Sequence, residues 1–409
     1  MANRPELPDV IRNPPAPADA RTPAPAPAPA PALARRALPL VTPNWFATVM
    51  GTGIVAVAAA VVPGIAPAIR PAAVVVWVLS AILLLALAAL SVAQFLTGGA
   101  EARARYRGTA MAPFLGTIPM AILVVGAGTD LVGRDLLGPG VATDAHAVLW
   151  ALGTALGVAT AVGVPLATVL RSDIAPDQAN GTWALPVVPP FVSASSAYLL
   201  MPALPAGQAQ LSLLYGSYAL FGMSLVAAAL MIVLVWFRLV HHDAGPVGLM
   251  PTIWIVLGPF GQAATAVGTL GLVAPGVIDA AGRAAGAAGG AVGGGAGVGD
   301  AAVGAGLHAV GVLVGVPAIG FALLWTALAI GMTIRGIAQG MPFGLGWWPF
   351  TFPVGVTCTG AAAVGSLTGS LLIDGIALGY FALLVLAWGV VAARTAWASL
   401  RRGRLTLPA

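Results

Sequence analysis

Charge is what this sequence has least of: only 8% of its 409 residues are Asp, Glu, Lys or Arg, against roughly 25% in an ordinary soluble domain. That scarcity excludes a soluble globular enzyme. Lysine is absent, and all 18 basic residues are arginine. A single cysteine, Cys358, excludes a disulfide scaffold. Glycine (53) and proline (34) are plentiful but follow no collagen period. No polar domain carries the clustered basic residues that a nucleic-acid partner requires, so none is expected. What is present is apolar: 59% of the residues are hydrophobic, and the mean hydropathy is +0.96. The partner this composition implies is the lipid bilayer.

A helix crossing a hydrocarbon layer of about 30 Å needs about 20 mainly apolar residues. Ten such runs are found, at 44–62, 72–96, 110–129, 145–170, 183–201, 210–237, 249–274, 306–334, 346–370 and 375–399. They are too long and too uniformly apolar for barrel strands. Residues 1–40 include a Pro/Ala alternation, lack the apolar core of a secretory signal, and read as a disordered cytoplasmic tail. Residues 41–400 form the transmembrane domain, and 401–409 form a short cytoplasmic tail.

Arginine placement sets the orientation. With both termini cytoplasmic, 15 arginines fall inside, and only Arg70, Arg134 and Arg283 lie outside. The positive-inside rule selects that topology, in a plasma or inner membrane. Asp130, Asp135, Asp279, Asp300 and Asp374 then lie on the far side. Apart from Arg394, near the end of the last run and able to snorkel, the span cores contain no Asp, Glu or Arg.

An internal repeat organises the ten runs. Trp45, Pro113, Trp183, Trp254 and Trp347 mark the starts of the odd ones, at separations of 68, 70, 71 and 93. The last separation contains the 24-residue Gly/Ala-rich stretch 281–304, an extracytoplasmic insertion, without which it would be 69. The chain therefore reads as five helical hairpins. Odd runs are interrupted by Gly51 and Gly53, by Pro113, Gly116 and Pro119, by Pro186, Pro189 and Pro190, by Gly258, Pro259 and Gly261, and by Pro353 and Gly355. An interior proline frees a carbonyl, which in hydrocarbon must find water, a hydroxyl or a neighbouring helix. The expected fold is all-α, with kinked odd helices inside, even helices outside, and a central pore. Thr52, Thr117, Ser193, Thr265 and Thr351 are its expected hydroxyls. Gln262, polar in an apolar run, either bonds a neighbouring helix or faces water.

Three motifs carry a family resemblance: Asn44 through Gly53, Trp254 through Gln262, and Gly346 through Pro353. In this order on a ten-helix frame they resemble the tellurite-resistance and dicarboxylate transporter family. That family includes plant slow-type anion channels, fungal malic acid permeases and yeast sulfite efflux pumps. The resemblance implies a homotrimer in which each subunit has its own pore, plugged by a phenylalanine on helix nine. On this chain the plug aligns with Phe352, and Phe350 is the nearest rival. Phe260 is a weaker pore candidate.

Other residues suggest less. Cys358 has no basic partner near it in sequence and reads as buried packing. His241, His242 and Asp243 read as a solvated loop rather than a metal site. Neither a catalytic residue nor a cofactor is expected. With no ionisable group mid-span, weak binding by amides, hydroxyls, helix ends and water suits passage of small anions as a channel or low-affinity facilitator. Chloride, nitrate, sulfite, tellurite and C4-dicarboxylates are the candidates. The alternative is a proton-coupled carrier for malate-like dicarboxylates or sulfite that uses His146, His308 or Asp144.

Overall fold

The long apolar runs fold as helices because only a helix satisfies its backbone polar groups within one segment. The computed structural model describes residues 41–107, 111–170, 176–242, 245–287 and 296–402. The tail 1–40, the centre of the Gly/Ala stretch, Asp243 and the last residues, 403–409, lie outside the described residues. The α-helices are α1 (Phe46–Val61), α2 (Ala66–Arg107), α3 (Thr117–Gly128), α4 (Arg134–Leu137), α5 (Pro139–Val169), α6 (Pro189–Ser196), α7 (Gln208–His241), α8 (Leu257–Ala287), α9 (Ala296–Ala338), α10 (Phe352–Thr368) and α11 (Leu371–Arg402). The described residues contain no strand.

Among the described residues, nine helices are long and apolar enough to cross a membrane. The fifth expected span is not a continuous helix. It breaks into a 3-10 segment at Gly181–Val187, the short α6, and further 3-10 turns at Ala197–Leu199 and Met201–Ala203. Four prolines, at 186, 189, 190 and 202, account for the interruption. The segment still runs alongside its neighbour: Gly181 lies against the Thr252 carbonyl near the start of the seventh span, and Met201 packs with Ala274, Val277 and Ile278 near its end.

Odd and even spans differ sharply in burial. In the first, third, seventh and ninth, 78, 83, 67 and 89% of the apolar window is buried; in the even ones the share is 17 to 28%. The even helices expose large apolar side chains such as Leu85, Leu313 and Leu386. An inner set surrounded by an outer set is therefore observed.

The inner spans close a ring. The first meets the third where the Thr117 hydroxyl donates to the Pro43 carbonyl at 2.8 Å. The third meets the fifth at Gly116, whose missing side chain admits the Leu185 carbonyl. Gly181 does the same for the fifth and seventh. Between the seventh and ninth, a Cβ on Gly261 would lie 2.6 Å from the Thr357 amide nitrogen, and the Thr265 and Thr359 hydroxyls are 2.9 Å apart. The ninth returns to the first, where Gly51 faces Trp348 and Thr351 and Gly355 faces Ile54.

Each inner span opens with a 3-10 segment and then widens to an α-helix: Pro43–Trp45 before α1, Ala112–Gly116 before α3, Gly181–Val187 before α6, Val247–Val256 before α8, and Leu345–Phe350 before α10. The expected mid-helix proline kinks are better described as these changeovers. Pro119, Pro189, Pro190, Pro259 and Pro353 all sit in the first turn of an α-helix, where a missing N–H is tolerated. Carbonyls freed in the fifth span are taken up by outer helices: Ser224 donates to the Val187 carbonyl at 2.7 Å, and Thr160 to that of Pro186 at 3.5 Å.

The Gly/Ala stretch is partly helical, because α8 runs on to Ala287 and α9 begins at Ala296. Alanine is the best helix former, and it offsets the glycines there. The small residues of even helices serve contacts within the chain: Gly153 seats Leu123, Gly157 seats Pro189, and Gly311 and Gly315 seat Leu367 and Val364.

Candidate functional site

Two cavities lie inside the ring, and every inner span lines both. The smaller, about 40 Å³, is at the end where the spans begin. Ala47 and Met50 of the first span contribute to it, with Thr117 and Met120 of the third, Leu185 and Val188 of the fifth, Gly258 of the seventh, and Trp348 and Phe352 of the ninth. The larger, about 220 Å³, occupies the far half. One helical turn further along four of these spans brings Ile54, Val124, Val192 and Gln262 into its wall, and the ninth adds Thr359 about two turns beyond Phe352. The cavities thus follow one axis, offset by one to two helical turns along the inner spans.

Neither wall contains an Asp, Glu, Arg or His. The larger cavity is lined by apolar side chains and by the hydroxyls of Ser195, Ser196, Tyr198, Thr265, Thr269, Thr359 and Ser366. Several of these protons rest on carbonyls of their own helix: Thr265 donates to Gly261 at 2.8 Å, and Ser366 to Ala362 at 2.9 Å. A hydroxyl that swings toward a solute gives up one neutral hydrogen bond, worth about 0.5–1.5 kcal/mol net. The cost of engaging a solute in the cavity is therefore small. Gln262 is only 3% exposed, and its Oε1 has no hydrogen-bond partner among the described residues. Its amide belongs to the cavity wall rather than to a bond with a neighbouring helix.

Phe352 is the first residue of α10, so the 3-10 to α changeover fixes where its ring projects. It is buried and lines the smaller cavity next to Pro353 and Gly258. Phe350 is placed differently: its ring meets the edges of Trp254 and Trp347, each at 5.6 Å. The guanidinium of Arg394 lies 5.2 Å from the Trp347 ring, which holds the start of the ninth span against the last.

The remaining candidates divide by the face of the helix they occupy. Thr117 and Thr265 line the cavities. Thr52 accepts a hydrogen bond from Trp388 on the outer side, and Gly53 packs on Val124. Ser193 faces α5, accepting from Thr154 at 2.8 Å, while its carbonyl accepts from Trp150 at 2.9 Å. Pro119 and Pro189 pack beside Gly157 of the same helix. Thr351 and Gly51 meet at the seam between the ninth and first spans. Pro259 is buried in the first turn of α8. Phe260 turns its ring onto Phe321 of α9, with centroids 4.0 Å apart, and lines neither cavity.

Sequence reasoning missed Ser195, Ser196, Thr269, Thr359 and Ser366. The spacing of Thr265 to Thr269 and of Thr359 to Ser366 keeps one helical face, and that was the available signal. It named His146 as a proton-coupling candidate but placed Asp130 on the far aqueous side; the structure buries both and brings them together. Asp144 is exposed and His308 half-buried. His241 stacks on Phe237 at 4.3 Å, and its Nδ1 lies 3.0 Å from the Phe237 carbonyl. Cys358 is fully buried and free.

Comparison with known proteins agrees with this architecture. Residues 40–396 match the family model described as voltage-dependent anion channel, SLAC1. A sulfite efflux pump of Arthroderma otae is 27% identical over 359 residues, covering 87% of this chain and 90% of the relative. One from Trichophyton rubrum is 26% identical, with coverage of 87% and 90%. An uncharacterised transporter of Methanocaldococcus jannaschii is 25% identical, covering 86% of this chain and 92% of its own length.

Proposed function

Because the chain belongs to the SLAC1 anion-channel family, we propose that it passes small anions along the axial conduit between its two cavities, with the Phe352 ring as the seal. The observation that carries this reading is the uncharged wall built in register by all five inner spans. A positive charge in the wall itself, in direct contact with the ion, would hold it too tightly to leave, and an acidic ring would repel it. Hydroxyls, trapped water and the amide of Gln262 hold it weakly enough for it to leave.

The smaller cavity holds far less free space than the larger one, about 40 Å³ against about 220 Å³. An ion reaching the constriction must therefore displace the Phe352 side chain. Arginine placement makes the 3-10 end the cytoplasmic one, where arginine side chains concentrate anions. The family relationship supports a transporter rather than an enzyme. Further parts of the reading are a homotrimer with one conduit per subunit, ten crossings, and both termini on the cytoplasmic side of a plasma or inner membrane. The fungal relatives make sulfite the first anion to test. Chloride, nitrate, tellurite and C4-dicarboxylates follow.

A proton-coupled carrier is the second reading, and the burial of His146 favours it. The deciding experiment is efflux of chloride, nitrate and sulfite from liposomes containing purified protein, with and without a proton gradient. Flux above that of protein-free vesicles supports passage, and vesicles that stay tight to every anion contradict it. Flux that collapses with the gradient selects the carrier.

A further inference from the structure

Asp130 lies where α3 widens into a single π-helical turn, Thr129–Gly133, before continuing as α4. Such turns are rare and gather at functional sites. Its side chain is 2% exposed. Oδ1 is well served, accepting from the Arg134 Nη2 at 2.5 Å and from the Thr143 hydroxyl at 3.1 Å. Among the described residues Oδ2 has no hydrogen-bond partner; it lies 3.5 Å from Nδ1 of His146, a fully buried ring whose two nitrogens also find none there. Three buried polar atoms without partners at one place are costly in a folded protein. Ala127 and Leu131, on the same helical stretch, line the large cavity, as does Tyr198.

The charged and titratable groups around this pair are few. On α4, Arg134 has a side chain 45% exposed and Asp135 is bound by Arg70 of α2 at 2.6 Å. On α5, Asp144 is exposed. Tyr198 contributes a phenol, neutral between about pH 5 and 8. With His146 neutral, the Arg134–Asp130–His146 group carries no net charge. One proton on His146 turns it into a net cation and converts the 3.5 Å contact into an ion pair.

We propose that Asp130 and His146 form a proton-binding site whose charge sets anion occupancy of the large cavity. This rests on the anion-conduit reading. A proton taken from solution stays on the pair and is not carried across. The wall next to it is otherwise uncharged, so one added positive charge dominates the local potential. Acidification then raises anion flux by roughly three- to tenfold.

The test is anion flux in proteoliposomes with equal pH on both sides, varied between about pH 5 and 8. Wild type is expected to conduct more at the acid end. His146→Gln fixes the group at zero charge and is expected to give the low rate at every pH. Asp130→Asn leaves Arg134 uncompensated and is expected to hold the high rate even at neutral pH. Should that variant fail to fold, Arg134→Gln at its half-exposed site is expected to lower flux throughout while retaining the rise on acidification. Wild-type flux that is independent of pH overturns this inference alone, as does a pH profile unchanged in His146→Gln. Wild type with no flux at any pH overturns the conduit reading as well.

Discussion

The indole N–H of Trp388, on the last span, donates to the hydroxyl of Thr52, on the first, at 3.2 Å. These residues are 336 positions apart, and their bond ties the closing hairpin to the opening one. It is one link of a ring made otherwise by glycine contacts and backbone carbonyls. Trp388→Phe keeps an aromatic ring but removes the donor and part of the indole, so it is expected to lower stability by at least about 0.5–1.5 kcal/mol. Thermal unfolding in detergent should shift accordingly while the oligomer distribution stays as in wild type.

Gly261 gives a sharper result, because a Cβ there would meet the Val356–Thr357 backbone at 2.6–2.7 Å. Backbone cannot swing aside as a flexible side chain can, and overpacking costs about 1–3 kcal/mol or more. Gly261→Ala is expected to reduce the yield of monodisperse protein strongly. Gly276→Ala, with nothing within 4 Å, is expected to behave as wild type in the same size-exclusion assay.

Much of this was legible in the sequence. Apolar run length placed nine helices, and the recurrence of Pro and Gly separated inner spans from outer ones. What could not be read was rotation about each helix axis. A 3-10 segment turns 120° per residue and an α-helix 100°, so after each changeover the face containing Phe260 or Ser193 is displaced from where a uniform helix would put it. Both residues turn outward, onto Phe321 and Thr154. Asp130 was assigned to the far aqueous side because the third apolar run ends near it. In the structure the helix continues to Leu137, and the i,i+4 spacing of Asp130 and Arg134 was the clue that an acid there could stay buried.

Gln262 separates function from stability. Its Oε1 has no partner to lose, and an unsatisfied buried polar atom costs about 1–3 kcal/mol. Gln262→Leu is therefore expected to unfold no earlier than wild type yet to pass anions more slowly. A decrease in both quantities would mean that the amide makes a structural bond.

Cys358 is fully buried on α10. In native micelles it is expected to resist a maleimide reagent and to react fully once the protein is unfolded in SDS, as mass spectrometry would record. Thr359, the next residue, lines the larger cavity. Thr359→Cys in a Cys358→Ala background is expected to react with a small charged thiosulfonate and to lose flux as it does.

The central claim is that the two cavities are halves of one route closed at Phe352, and anion flux through Phe352→Ala in liposomes tests it most directly. Truncating the ring is expected to increase sulfite or chloride flux well above wild type while the purified protein remains folded and monodisperse. A folded Phe352→Ala protein with the flux of wild type would contradict the claim.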